Sequence, residues 1–394
     1  MTHFRNNISY PINTSIVLLA ASILWPIQAK AAYLPTDDSY INAQLATVFD
    51  SNVFRTASLN DVASVYHPTT LADRIDIVSI GGQYLKQLNQ QSFTLDGNYN
   101  QNSYARYSGL NYKSWNTSGE YDWKVGSQWQ GDFIYNDKKE EPSLDVSNTI
   151  ARDVVRTRVG SFDAQYTPIS YLFLVSGLQT TSVRRQVENS LDYDQTMAQM
   201  GAFFRTDKGS KLGILVQHSN VQYPYYGSLY QYSQTNSQLQ GDWPVSSKLD
   251  FSVAYGVNKV TYQEQFQPSY SSNIFNLTAN WQPTARSSFS IGYNDVPGDP
   301  GLSTSEVLNK SIYFQWTDVL TDKLKMKALL RRNQLQYFDE NVRVDNNTYR
   351  LDLIWSPLRM LELSMYGQLV KRVSGFADDT YNDNQIGLSA KYSF

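Results

Sequence analysis

The sequence predicts an all-β fold: a single transmembrane, up-and-down antiparallel β-barrel of about 18 strands, preceded by a signal peptide. Three observations predict it. Apolar and polar residues alternate with a period of two through most of the chain beyond residue 39. A large aromatic residue closes such a run every 35 to 43 positions. Tight Pro- or Gly-containing turns follow these aromatics, while the other ends of the runs open into longer polar segments.

Composition narrows the alternatives. The 394 residues carry 33 basic and 36 acidic side chains, and 41% are hydrophobic. With a mean hydropathy of -0.45, the chain is too polar for a bundle of membrane helices, each needing about 20 consecutive apolar residues. Cysteine is absent, which excludes a disulfide scaffold, a thiolate metal site and a Cys nucleophile. Beyond residue 31 only His67 and His218 remain, too few for a His-based metal site or triad. The near-neutral charge argues against nucleic acid as partner, and nothing implies a cofactor.

Residues 1–31 read as a signal peptide. Arg5 supplies the positive start, residues 16–25 the apolar stretch, and Ala29-Lys30-Ala31 the small-residue cleavage site. Residues 32–394 are then the barrel, with no separate domain. The first strand is expected at Tyr40–Phe49 and the second at Asp73–Leu85. Later strands end at Trp123, Tyr166, Phe204, Trp243, Trp281, Trp316, Trp355 and Phe394. Turns are expected at Thr167-Pro168, Thr206 to Gly209, Pro244, Gln282-Pro283, Thr317-Asp318 and Ser356-Pro357. The strands that follow read Leu249, Phe251, Val253, Tyr255, then Phe289, Ile291, Tyr293, then Leu324, Met326, Ala328, Leu330, and then Leu361, Leu363, Met365. They run into polar segments at 263–272, 296–306, 338–347 and 374–384. In the last run Ile386, Leu388, Ala390, Tyr392 and Phe394 alternate with polar or small neighbours, so this strand is suited to pair with the first. A propeller of similar period needs about four short strands per blade. Here each period holds two strands of roughly ten residues, enough to cross a bilayer when tilted.

Taking the apolar set as lipid-facing assigns the other set to the lumen. It includes a basic wall of Lys325, Lys327, Arg331, Arg350 and Lys391. It also includes an acidic wall of Asp96, Glu120, Asp122, Asp132, Asp163, Asp242 and Asp250. Amides and hydroxyls such as Gln238, Gln240, Ser252, Asn276, Ser290, Tyr313 and Gln368 fill the intervals. Such a lining offers a hydrated path with weak, distributed sites. Strand-end Trp residues are read as interface anchors. Tyr223, Tyr225, Tyr226, Tyr230 and Tyr232 are read as a loop cluster able to contact glycan. Enzyme chemistry finds no support: His218 and Ser219 are strand neighbours pointing to opposite faces. The carboxylate pairs Asp37-Asp38, Glu140-Glu141 and Asp378-Asp379 fall in polar connections and lack a calcium cage.

Two stretches carry a family likeness. One is Phe49-Asp50-Ser51-Asn52-Val53-Phe54-Arg55. The other is Leu110-Asn111-Tyr112, followed by Trp123-Lys124-Val125-Gly126 and Gln130-Gly131. The chain resembles the EpsL-type outer-membrane β-barrel proteins of exopolysaccharide biosynthesis operons, which are associated with exosortase. The resemblance implies an outer-membrane channel for exopolysaccharide export, without catalytic residues. It also implies outer-membrane lipid, polysaccharide, and periplasmic or inner-membrane secretion components as partners. In the family-like segment, Asp50, Asn52, Phe54 and Arg55 form either a plain turn or a polar cluster that folds the first loop inward. The residues themselves leave two other classes open. One is a general or substrate-selective diffusion porin, marked by a long loop folded into the lumen. The other is an outer-membrane hydrolase or adhesin.

Overall fold

The computed structural model describes residues 39–62, 67–141, 153–263, 269–297, 307–337, 341–375 and 380–394. Residues 1–31, expected as a signal peptide, and the pairs Asp37-Asp38 and Asp378-Asp379 lie outside the described residues.

Eighteen strands form one sheet, each antiparallel to its chain neighbours. They are β1 (Tyr40–Asp50), β2 (Asp73–Leu88), β3 (Gln91–Tyr104), β4 (Tyr112–Val125), β5 (Trp129–Glu140) and β6 (Val155–Ile169). Next come β7 (Leu172–Arg185), β8 (Tyr193–Arg205), β9 (Lys211–Tyr223), β10 (Gly227–Ser246), β11 (Leu249–Tyr262) and β12 (Tyr270–Trp281). The series ends with β13 (Ser287–Pro297), β14 (Val307–Thr321), β15 (Leu324–Tyr337), β16 (Val342–Leu358), β17 (Leu361–Ser374) and β18 (Tyr381–Ser393). β1 pairs with β18 from Asn42↔Ser393 to Asp50↔Gln385, and the Phe394 N–H donates to the Ile41 carbonyl at 2.8 Å. The sheet therefore closes into a ring, leaving no strand edge with unpaired backbone groups to face hydrocarbon.

The alternation decides what each face meets. Ile41, Leu45 and Phe49 of β1 point outward, and so do Leu178, Met200, Ile214, Leu239 and Leu351 on later strands, all well exposed. At the short-turn end, outward aromatics form a girdle. Trp129 stacks on Tyr166 with ring centroids 4.4 Å apart, and Trp281 on Phe289 at 5.3 Å. Phe289 also stacks parallel to Trp316. An exterior this apolar is solvated by lipid, with amphipathic rings at the boundary with water. The molecule is an 18-stranded β-barrel of the outer membrane.

Four expectations need correction. The strands run 11 to 20 residues rather than about ten. Segments expected as loop, such as 342–347 and 270–272, continue the ladder. The proline turn signals also sit too early. Pro168, Pro244 and Pro357 lie within β6, β10 and β16 at register shifts, and the reversals come two to three residues later. Asp318 similarly lies within β14, which runs on to Thr321. Proline cannot donate to a ladder, but a bulge asks for no donor at one position. Finally, Tyr223 ends β9, and Tyr230 and Tyr232 lie within β10, leaving only Tyr225 and Tyr226 in the connection. Tyr223 and Tyr232 turn inward and are buried against Val221, Val260 and Tyr262. Inward side chains level with one another on adjacent strands pack together.

Candidate functional site: the lumen and its constriction

The ladder carries the alternation around the whole ring, so it also decides which residues share the lumen. Phe93↔Tyr121, Tyr121↔Phe133 and Phe133↔Phe162 are outward pairs. Their neighbours Asp96, Glu120, Asp122, Asp132 and Asp163 consequently face inward on β3 to β6. Asp242 and Asp250 face inward on β10 and β11, beside the outward Leu239↔Tyr255 pair. The outward pairs Leu330↔Tyr349 and Met365↔Leu388 put Lys325, Lys327, Arg331, Arg350 and Lys391 on the lumenal face of β15, β16 and β18.

On the acidic side, Asp122, Asp132 and Asp163 stand on one rung across β4, β5 and β6. Like charges directly opposite repel, and hydrogen-bond donors at the ends of the row offset this. Ser92 Oγ donates to Asp122 at 2.5 Å and Gln199 Nε2 to Asp163 at 2.7 Å. Gly177 lies between Asp163 and Gln199. A Cβ there would come within 2.1 Å of the Asp163 carboxylate, so the missing side chain leaves room for that bond. Farther round, Ser252 Oγ donates to Asp242 at 2.8 Å and Asn280 Nδ2 to Asp250 at 2.9 Å. A cavity of about 630 Å³ opens along this wall, lined among others by Asp122, Asp132, Asp163, Lys211 and Asp242.

The basic side is built differently. Arg350 is held by Asp352, with bonds of 3.0 and 2.7 Å, and by Gln368. Its guanidinium lies 4.0 Å from the centroid of the Tyr366 ring. That ring in turn rests on Gly387, where a Cβ would meet it at 2.1 Å. Asp352 thus neutralises much of the Arg350 charge. Lys391 sits opposite Glu362. Lys325 and Lys327 are exposed and make no ion pair among the described residues. Of the cations on this wall they are the most available to a passing solute. Sequence alone missed the partners Asp352 and Glu362, although both fall on the inward parity.

The family-like segment shapes the mouth at the long-loop end. Asp50 and Asn52 are buried, and Phe54 is 3% exposed. Asp50 accepts from the Asn52 N–H at 2.7 Å, an Asx turn, and Asn52 Nδ2 donates to the Thr56 carbonyl at 2.7 Å. Asn52 also reaches the Asn382 carbonyl, while Ser51 and Gln385 bind Asp383. Turn and inward fold are therefore both present. Val53, Phe54 and Val62 pack on Tyr104 and Leu110, with Ile75 and Tyr112 alongside. Ile75, Tyr104 and Tyr112 belong to the lumenal faces of β2, β3 and β4, so the loop after β1 lies inside the mouth. The Leu110-Asn111-Tyr112 part of the second family-like stretch meets the first in this cluster, through Leu110 and Tyr112. Arg55, at φ 55°, forms an ion pair with Glu141 after β5 at 3.3 Å. Burial works against its charge. Glu141, Tyr381, Asp50 and Tyr104 outweigh that and hold the guanidinium above its ordinary value. Arg372 and Asp383, fully buried inward residues of β17 and β18, belong to the same mouth and went unread in the sequence. Arg372 follows Gln368 at the inward parity, which was the available signal.

No protein-family profile and no curated protein matches the chain. Among solved structures it is similar to OccK2 (OpdF) of Pseudomonas aeruginosa. The TM-score is 0.50 at 11% identity, covering 91% of this chain and 98% of that one. OccK2 in complex with glucuronate gives a TM-score of 0.50 at 10% identity, over 92% and 100%. OpdK of Pseudomonas aeruginosa with vanillate gives 0.48 at 10%, over 91% and 98%. At such identities the likeness is one of fold, the fold of outer-membrane channels.

Proposed function

We propose that the protein is a substrate-selective diffusion porin for small polar solutes, with carboxylate-bearing sugars the favoured class. One observation carries this: the first loop is folded into the lumen and tied there by the Arg55–Glu141 pair and an apolar core. A barrel of 18 strands is otherwise wide enough for an unobstructed aqueous channel. A selective porin needs a constriction, whereas a moving polymer is served by a clear bore. The lining agrees. Lys325 and Lys327 each offer a solute carboxylate about 1 kcal/mol at 4 Å in water, enough to attract and weak enough to release. The complex of the fold relative OccK2 with glucuronate supplies the test solute.

Exopolysaccharide export, which the EpsL-type resemblance implies, is the rival. Proteoliposome swelling separates the two. Glucuronate and neutral monosaccharides should both enter, and K325E/K327E should slow glucuronate several-fold relative to the neutral sugar. No entry of either solute, together with polymer trapped in the periplasm of cells lacking the protein, would favour export instead.

A further inference from the structure

On the lipid face of β2 to β5 the barrel wall is hollow. Gly82, Gly97 and Gly119 all point outward, and without side chains they form the floor of a groove of about 690 Å³. Phe93, Tyr121 and Phe133 are among its walls. Directly toward the long-loop end the exterior changes character. Trp115, Asp137, Lys139, Arg156 and Arg158 share the outward face of β4, β5 and β6 through the pairs Trp115↔Lys139, Asp137↔Arg158 and Lys139↔Arg156.

These side chains are organised around one carboxylate. Asp137 accepts from Arg156 Nε at 2.9 Å and from its terminal nitrogen at 2.5 Å. Trp115 Nε1 donates to it at 3.3 Å, and Arg158 Nε stands 3.8 Å away. The indole is flanked by two cations, Lys139 at 5.2 Å and Arg156 at 5.3 Å from the ring centroid. Three cations around one acid leave a net charge of two positive. Asp137 is largely covered, while Arg156 and Arg158 keep a third or more of their side chains exposed. Height places the cluster. Trp115 lies ten residues along β4 from Val125 at the aromatic girdle. A tilted strand climbs ~25 Å over that distance, the height of the apolar band. The cations therefore stand at headgroup level, directly above the groove.

We propose that this face is a built site for one phosphorylated lipid of the outer leaflet, its phosphate on Arg156, Arg158 and Lys139 and an acyl chain in the glycine-floored groove. Guanidinium groups suit phosphate because their paired N–H groups match its oxygens. A soluble anion would use only the upper half of the site. A protein partner would have no cause to place a cationic tier above a hydrocarbon slot. A second exterior cluster, Arg332 and Arg343 around Asp345, has a similar charge arrangement. It stands over the filled surface of Leu330, Tyr349 and Leu369, and so serves as an internal control.

The test is native mass spectrometry of the intact barrel, purified in neutral detergent and exposed to bisphosphorylated lipid A, phosphatidylcholine or inorganic phosphate. Wild type should retain one lipid A molecule and no phosphatidylcholine, and inorganic phosphate should not displace it. R156A/R158A should lose the lipid. G97L fills the groove without touching a charge; a Cβ there meets only Thr117, at 3.7 Å. It should lose the lipid as well, which guards against misfolding of the arginine variant. R332A/R343A should retain it. Retention by both β3–β6 variants, equal loss in R332A/R343A, or displacement by inorganic phosphate would overturn the proposal.

Discussion

Arg55 adopts a backbone conformation that L-residues other than Asn and Asp seldom enter, φ 55°. Its compensation is the ion pair with Glu141, in which each side chain is only about 15% exposed. R55M would break the half of the buried pair that Arg55 supplies to Glu141, at a cost of about 3 kcal/mol to the docked loop. Protease cleavage within residues 51–62 should become rapid in the variant while the strands stay intact. Asp61 braces the loop's own turn. It accepts from Thr56 Oγ1, from the Ser58 N–H at 2.9 Å and from Ser58 Oγ at 2.9 Å. The Thr56 hydrogen bond, opposed by burial and helped by Ser58, holds its carboxyl below the usual range. With the folded value depressed, its stabilisation is complete above about pH 4 and fades as pH falls through the folded value. Channel recordings from pH 6 to pH 3 should show open-channel noise rising only at the acidic end, and D61N should show that noise already at pH 6. Asp50, Asn52 and Arg55 stood out in the sequence because polar residues crowd the end of a strand. Their partners Asn382, Asp383 and Glu141 lie more than 80 residues away in sequence and had no local signal to join them.

At the level of elements, β16, β17 and β18 show how a wall residue is positioned. Arg350 stacks on Tyr366, and Tyr366 lies flat over Gly387 of the next strand. A side chain at 387 must push the ring away. G387V is expected to cost about 1–3 kcal/mol from overpacking, to lower the urea midpoint of unfolding, and to alter anion selectivity because Arg350 loses its support. An unchanged midpoint would show that the ring has room to move. Strand number and alternation were legible here because lipid imposes a strict period of two on every strand. The turn positions were less so. Pro244 and Pro357 are strong turn residues by composition, yet each occupies a bulge inside a strand. The inward apolar pair Phe173 and Phe203, stacked 5.3 Å apart, also blurs the polar-in pattern on β7 and β8.

At the scale of the whole molecule, the lumenal face of β3–β6 and β10–β11 is dominated by acids and that of β15–β18 by cations, the latter offset in part by Asp352 and Glu362, so a transverse field crosses the passage. The loop after β1 narrows the mouth above that field. Its contacts join the end of β1 to the lumenal faces of β2–β4 and to Glu141 beyond β5. The sequence foreshadowed the field through residue parity, but the loop's path depends on contacts that close only when the ring does. The most direct measurement is single-channel conductance in planar bilayers of the wild-type barrel and of a variant with residues 51–72 replaced by a short Gly-Ser turn. The wild type should conduct in small, discrete steps and the shortened variant in steps several-fold larger, with selectivity for glucuronate over neutral sugar reduced. Equal conductance in the two, or no conductance in either, would contradict a channel gauged by its first loop.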